Sequence, residues 1–398
     1  MKSGAALILD LGTSSLKGAL FDGGGRRLAF VRLPYEGEIR PDFENRSLLT
    51  QIKTAARAVT ALRSCCPSAA IRSVVTVGNG PSWIAFDGSG AVCGAPLMWM
   101  AAAKTETQPT SSRYLQLLDA FRRLRPEVFR QAQAFLPLSD ALAWFLTGER
   151  AAALSCEAAR FLYWEEDECR RLGLPFEKLP PFVFSGERLG VVTREAAAAT
   201  GIDAGAVVYA GAPDYVAGLI GSGSLRAGAV FNRTGTSEAV NFVLTADEGG
   251  GAPFWDGFNV DSVFLPPTGI WFEEWFSRFA PPGMAPAQAA DALAQKCRRD
   301  FSEEAFAAGQ RLFNEIESVF CTAVRTLRER RRFDEAVIGG SQAESTAWAA
   351  KKGGSCGLKL RIPRYAACEL TGGAVLAAAA GKRSAVVSLS DDYSKTDC

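Results

Sequence analysis

The chain has 398 residues and a mass of 42.5 kDa, which suits two domains better than one. Hydrophobic residues make up 48% and charged residues 22%, the balance of a folded, soluble enzyme and not of a disordered chain. The formal net charge is +1 and the pI near 7.4, with no basic tail or Arg/Lys stripe with interleaved aromatics, so no nucleic-acid partner is expected.

In chain order, Ala5 to Leu9 reads as a buried strand ending at Asp10, followed by the tight polar turn Leu11-Gly12-Thr13-Ser14-Ser15. Lys17 to Phe21 and Leu28 to Leu33 read as two more strands, separated by Asp22-Gly23-Gly24-Gly25, a hairpin signal. Leu48 to Leu62 has helical periodicity. Ile71 to Val77, Trp83 to Phe86 and Ala91 to Trp99 read as strands, and the pattern from about Thr110 to Trp164 is helical. Clear strand character is expected to return only at Ala206 to Ala210. Beyond it, Ala229 to Thr234 and Glu238 to Val243 form two strands joined by Gly235-Thr236-Ser237. Phe301 to Arg330 is a long helix, and its basic end, Arg325 to Arg332, reads as a solvated helix terminus. Phe333 to Ile338 is a strand leading into Gly339-Gly340, Leu358 to Ile362 another, and Glu369 to Ala380 an Ala-rich helix. The tail from Ser384 has no strong pattern.

The ten cysteines are scattered without a C-x-x-C pair, and the chain has no histidine. A Cys/His zinc site is therefore excluded, and reduced cysteines in a cytoplasmic protein are expected. The N-terminal apolar run is broken by Asp10 and lacks a cleavage site, so no leader is expected. No stretch is long and apolar enough to span a membrane, and no membrane partner is expected.

The two halves rhyme. Each opens with strands that carry a Gly-Thr-Ser turn, and duplicated α/β halves with a ligand between them follow as an inference. Phosphoryl transfer needs a base for the acceptor proton, a metal against phosphate charge, and donors around the phosphates. Asp10 can hold Mg²⁺ through waters, and the amides and hydroxyls of Gly12, Thr13 and Ser14 can hold phosphate oxygens. The bland alternative is a hairpin with a capping Asp. A second such turn, Gly235-Thr236-Ser237, weakens that alternative. Asp214, in Gly211-Ala212-Pro213-Asp214, lies between an apolar strand and a glycine-spaced helical segment. It serves either as a helix cap or as a general base. Gly339-Gly340 either lets backbone pack on an adenine ring or satisfies a turn with positive φ.

Taken together and in order, these motifs resemble the FGGY carbohydrate kinases. The stretches that carry the resemblance are LILDLGTSSLKGALFD, LPLSDALAWFLTGE, Ser185 through Gly223, FNRTGTSEAV, VIGGSQAESTAW and CELTGGAVLAAAAG. The resemblance implies an α/β fold of two actin-like (ribonuclease H-like) ATPase domains with a central cleft. Residues 1–223 would form the acceptor domain and residues 224–398 the nucleotide domain. It implies ATP and Mg²⁺ as cofactors, a small-molecule sugar or polyol as partner, and it admits a homodimer. Asp214 would be the catalytic base and Asp10 would position Mg²⁺. Gly12, Thr13, Ser14, Lys17, Gly235, Thr236, Ser237, Gly339 and Gly340 would bind the nucleotide. Asn79, Trp83, Trp99 and Asp214 would face the acceptor, and domain closure would exclude water.

The chain departs from the family on the acceptor side. Where members such as xylulokinases carry Gln-Met-His-Gly, it has Asn79-Gly80-Pro81-Ser82. Where they carry Trp-x-Asp-x-Arg, it keeps Trp99 but has Ala101 and Ala103. Losing a carboxylate and a guanidinium removes strong binders of sugar hydroxyls. Two readings follow: an active kinase with an altered acceptor, and a non-catalytic nucleotide- or metabolite-binding regulator of the same fold. An ATPase activator that holds an iron-sulfur cluster is disfavoured by the scattered cysteines.

Overall fold

A computed structural model describes residues 4–35 and 47–395, without the side chains of residues 102–104. Ala103, which the sequence marks as a departure, therefore lies outside the described side chains. The described chain packs as two units. The first runs to Ala217 and adds Phe254–Asp256 and Gly372–Leu389. The second comprises Gly218–Pro253, Gly257–Thr371 and the residues from Ser390. The division falls within the helix Asp214–Gly221, and Gly372–Leu389 of the closing segment belongs to the first unit.

The first sheet has the order Arg27–Pro34, Ser15–Phe21, Gly4–Leu11, Ala70–Gly78, Val207–Tyr209, Arg188–Val191. Its first three strands form an antiparallel meander. Asp22 closes the first hairpin: its Oδ1 accepts the backbone N–H groups of Gly24 and Arg26 at 3.0 Å each, and Gly25 takes φ 78°. Ala70–Gly78 then lies parallel to Gly4–Leu11, and Val207–Tyr209 parallel to Ala70–Gly78. Gly4–Leu11 is covered on both faces, so its sequence reads as one apolar run and not as an alternation. The helix Leu48–Cys65 covers one face. Ser47 caps it by accepting the Thr50 N–H at 3.2 Å, and it buries Ala55, Ala58, Val59 and Leu62 along one stripe.

The second sheet has the order Ala252–Trp255, Phe258–Leu265, Glu238–Thr245, Val230–Thr234, Glu335–Gly340, Lys359–Arg361. Here too a strand has an antiparallel neighbour on one side and parallel strands on the other. The rhyme between the halves is therefore one of topology: a meander, then parallel strands added beside its first strand. The 26-residue helix Glu303–Arg328 starts on the Ser302 cap and buries Phe313, Ile316, Phe320, Val324 and Leu327 at helical spacing. Its basic end is not a simply solvated terminus. Arg328 donates to the carbonyls of Phe333, Cys356 and Gly357, and Arg330 and Arg331 pair with Asp261.

Three expectations about elements are corrected. Ala91 to Trp99 is no strand but a loop with isolated bridges Phe86↔Val92 and Trp83↔Leu97, because Gly94 turns at φ 69° and Pro96 has no N–H to give a ladder. The stretch from Thr110 to Trp164 is not continuously helical. Ala134–Pro137 pairs with Trp83–Phe86, and Ala152–Leu154 with Phe182–Phe184, so strands return well before Ala206. Short apolar runs beside Pro and Gly suit either state, and partners decide between them. The tail forms a helix, Val386–Ser394, anchored by the buried Val386 and Tyr393. Among the described residues no helix is long and apolar enough to cross a membrane.

Gly340 takes φ 95°, and a Cβ there would overlap the Thr234 carbonyl oxygen. Gly340→Ala is expected to destabilise the protein by at least about 2 kcal/mol, read as a lowered urea midpoint at unchanged slope.

Candidate functional site

In the first unit the C-terminal ends of three mutually parallel strands, at Leu11, Gly78 and Tyr209, lie along one sheet edge. In open α/β sheets this is the edge where ligands bind. Asp10, the residue before the last of the strand Gly4–Leu11, is buried. The register sets it opposite Lys17, and Lys17 Nζ donates to Asp10 Oδ2 at 2.9 Å. The two residues expected to serve metal and nucleotide are thus brought together with each other as partners. Between them the turn is tight: a Cβ on Gly12 would stand 2.8 Å from the Ser15 carbonyl oxygen, so glycine is required. Thr13 is buried and Ser14 half-buried. Trp99 Nε1 makes a long contact to Thr13 Oγ1 at 3.5 Å.

Asn79 follows the fourth strand, and its N–H donates to the Leu11 carbonyl at 3.3 Å. Trp99 is half-buried, held by its N–H to Ser82 Oγ at 3.2 Å. Trp83 does not face a ligand and is corrected here. Its side chain is wholly buried, Nε1 donates to the Tyr114 carbonyl at 2.8 Å, and its ring packs on Tyr114 and Trp164. The run Trp83–Phe86 pairs with Ala134–Pro137, and that pairing sends the indole into the core. Ala101 packs against the same aromatic cluster.

Asp214 opens the helix Asp214–Gly221 and is half-buried, with Oδ1 accepting the Tyr215 N–H at 2.7 Å. The first turn of a helix favours a carboxylate. What brings it to the sheet edge is backbone: Gly78 bridges to Pro213, and a Cβ on Gly211 would overlap the Thr76 carbonyl oxygen. Thr76 Oγ1 in turn donates to the Ser139 carbonyl at 3.2 Å. This places Asp140, in the first turn of the helix Leu138–Thr147, beside the same strand end. Burial pushes the Asp140 carboxyl up to about 7, against a bond from the Ala153 N–H.

In the second unit Gly235, Thr236 and Ser237 are half-buried in the turn after Val230–Thr234. Arg233 Nη2 donates to Ser237 Oγ at 3.2 Å and braces the turn. Gly339 and Gly340 end the neighbouring parallel strand. Both are needed by the fold itself: a Cβ on Gly339 would overlap Cys368 Sγ, and Gly340 crosses Thr234. Thr234 Oγ1 donates to the Gly339 carbonyl at 2.7 Å and accepts the Gln342 N–H at 3.1 Å.

Behind this turn lies a fully buried network. Lys352 Nζ pairs with Glu238 Oε1 and donates to Gln342 Oε1 at 2.6 Å and Asn232 Oδ1 at 3.2 Å. Glu238 Oε2 accepts from Thr268 Oγ1 at 2.5 Å and Gln342 Nε2 at 3.0 Å. Burial pushes the Glu238 carboxyl up, but the Lys352 ammonium and the hydrogen bonds outweigh it and hold it below the usual range. Burial pulls the Lys352 ammonium down, with Glu238 offsetting part of the effect. The helix Thr268–Phe279 starts from this network, and a Cβ on Gly269 would overlap the Gly235 carbonyl oxygen. Arg233, Thr268, Gln342 and Lys352 were not singled out from sequence. No local motif joins residues so far apart; only Glu238, next to the Gly-Thr-Ser turn, gave a positional hint.

Residues 102–221 match the family model described as the N-terminal domain of the FGGY family of carbohydrate kinases. A xylulose kinase of Bacillus subtilis is 31% identical over 121 residues, covering 29% of this chain and 24% of that protein. An autoinducer-2 kinase of Yersinia enterocolitica is 28% identical over 268 residues, 59% of this chain and 51% of that protein. The matched stretch thus spans about half or less of these curated relatives. The crystal structure of a xyloylose kinase from Brucella ovis superimposes with a TM-score of 0.74 at 17% identity, covering 98% of this chain and 93% of the other. The expected two-sheet, actin-like α/β fold is therefore this chain's fold.

Lys352→Met would leave Glu238 buried without its counter-charge. A loss of roughly 3–5 kcal/mol is expected in urea unfolding, with much of it regained in the Glu238→Gln/Lys352→Met double variant. Asp140 holds its proton more tightly in the folded state, at about 7, than the 3.8 of a free side chain. Its burial therefore lowers stability as pH rises through that interval. Asp140→Asn is expected to raise Tm by roughly 2–4 °C at pH 8 and to leave it unchanged near pH 4.

Proposed function

We propose that this member of the FGGY carbohydrate kinase family, through its residues 102–221, is an ATP-dependent phosphotransferase acting on a hydroxyl of a small sugar or polyol. The observation that carries the reading is Asp214 at the C-terminal sheet edge of the first unit, beside Asn79 and the neighbouring strand end that carries Asp10. The relatives are named as kinases of xylulose and of autoinducer-2, which supports a small-molecule acceptor.

In this reading Asp214 accepts the proton of the attacking hydroxyl. Asn79 and Trp99 bear on the acceptor. In the second unit Gly235, Thr236 and Ser237, braced by Arg233, hold phosphate oxygens through backbone N–H groups and hydroxyls. Gly339 and Gly340 keep their backbone close enough for the adenosine. Mg²⁺ would neutralise phosphate charge. Asp10 fits it as a single carboxylate acting through water, since among the described residues no group of three or more carboxylate or thiol ligands exists. Lys17 balances Asp10 and sets where its carboxylate points.

A second reading, a non-catalytic nucleotide- or metabolite-binding regulator, is favoured by one observation: Ala101 is half-buried against the aromatic cluster and offers no polar group to a sugar.

With Mg·ATP and a panel of ketoses, aldoses, polyols and glycerol, one acceptor is expected to stimulate ADP release. Asp214→Asn should lower kcat by about 10²-fold or more while leaving nucleotide binding intact. Undiminished turnover in that variant would remove the base assignment. ATP binding with no acceptor-dependent ADP release would favour the regulator.

A further inference from the structure

Two thiols of the second unit meet at a seam that no sequence motif marked. Cys321 lies on the helix Glu303–Arg328, and Cys356 in the turn after the helix Thr346–Gly354. Both are half-buried and free. Side chains one or two full turns apart share a helix face, so Glu317, Cys321 and Arg328 form one stripe. Each end of that stripe grips the turn. Glu317 accepts from Ser355 Oγ at 2.6 Å and pairs with Lys351. Arg328 Nη1 donates to the Cys356 carbonyl at 2.9 Å and Nη2 to the Gly357 carbonyl at 3.0 Å. Cys321 stands between these grips, and its thiol meets that of Cys356 directly.

The turn has room to adjust. Gly354 and Gly357 flank Ser355 and Cys356, Gly357 takes φ 60°, and the place of a Cβ on either glycine is open. A disulfide demands a specific separation and torsion, and a glycine-flanked turn can supply them where two rigid helices could not. Cys356 Sγ leans on the carbonyls of Lys352 and Gly353, at 3.8 and 3.6 Å. Burial, with Cys321 beside it, pushes the Cys356 thiol up to about 12, so Cys356 does not begin an exchange. The seam also touches the buried network. Lys352 closes the last full turn before Cys356, and its Nζ lies 4.3 Å from the ring of Phe320, the neighbour of Cys321.

We propose that Cys321 and Cys356 are a reversible thiol–disulfide modification site, oxidised by a low-molecular-weight disulfide such as oxidised glutathione. The bond locks the helix Thr346–Gly354, and with it Lys352, to the helix Glu303–Arg328. The Cys321 thiolate, its proton given to solvent, attacks one sulfur of the small disulfide, forming a mixed disulfide and releasing one small thiolate. Cys356 then gives its proton to solvent and attacks Cys321 Sγ. The protein S–S bond forms as the bond to the second small thiolate breaks. Two protein thiols are oxidised, one small disulfide is reduced, and the two protons end on the two small thiols. The bond ties residues 321 and 356 together in the unfolded chain as well, which removes freedom there and stabilises the folded unit. The proposal stands apart from the phosphotransferase reading and holds whether or not the protein turns over ATP.

The test treats the reduced full chain with oxidised glutathione in the absence of denaturant, blocks remaining thiols by alkylation, and maps the tryptic peptides by mass. Cleavage after Arg311, Arg325, Lys352 and Lys359 puts the two cysteines on separate peptides, residues 312–325 and 353–359. The disulfide-linked pair of these peptides is expected, beside glutathione adducts at the exposed Cys65 and Cys297. The urea midpoint should rise by roughly 1 M on oxidation and return with dithiothreitol. Hydrogen exchange across Thr346–Gly354 should slow several-fold in the oxidised protein. Cys321→Ala and Cys356→Ala should each lose the linked pair and both shifts while keeping the adducts at Cys65 and Cys297. Glutathione adducts at Cys321 or Cys356 without the linked pair, or a linked pair that forms only in urea, overturn the proposal. So does a midpoint shift that survives in Cys321→Ala, or a linked pair that leaves exchange across Thr346–Gly354 unchanged. If a variant fails to fold, the wild-type peptide map and exchange pattern decide.

Discussion

Each unit depends on one contact that leaves no room for a side chain. In the first, Gly211 passes against the Thr76 carbonyl; in the second, Gly340 passes against the Thr234 carbonyl. In both, a segment leaving a parallel strand crosses the end of its neighbour at backbone distance. That crossing decides what stands at the sheet edge. In the first unit it delivers Pro213 and Asp214 to Gly78, and in the second it delivers Gln342 to Thr234. A methyl group at either glycine would push the following residues out of reach.

The two units solve the electrostatics of their edges in different ways. The second buries a complete ion pair, Lys352 with Glu238, and saturates it with Asn232, Gln342 and Thr268. A buried pair adds little stability by itself, yet breaking it is costly, so the network holds one arrangement of the Gly-Thr-Ser turn and of the helix packed on it. The first unit keeps an ion pair, Lys17 with Asp10, in the hairpin, and buries Asp140 beside phenols.

This contrast gives the sequence departures a physical sense. With Ala101 packed against the aromatic cluster, the carboxylate expected of a sugar site is replaced by an apolar contact. Polar character reappears nearby on other elements, as Asp140 after the strand Ala134–Pro137 and as Tyr163 on the short helix Arg160–Tyr163.

Much of this was legible in the chain alone. The meander of the first sheet, the two Gly-Thr-Ser turns, the long helix and the position of Asp214 between strand and helix all follow from local patterning, because apolar runs and glycine turns act over a few residues. Trp83 was misjudged because burial depends on the strand that pairs with it, and Ala134–Pro137 lies about fifty residues away in an apolar run that suits either state. The cluster around Tyr114, Tyr163 and Asp140, and the network of Glu238, Gln342 and Lys352, were invisible for the same reason. Their members are brought together by strand register and backbone crossings, and a sequence does not show across-space neighbours. By itself the sequence determined which residue types were available at the strand ends. Only tertiary structure decided which of them meet, since a hydrogen bond or an ion pair exists only at contact.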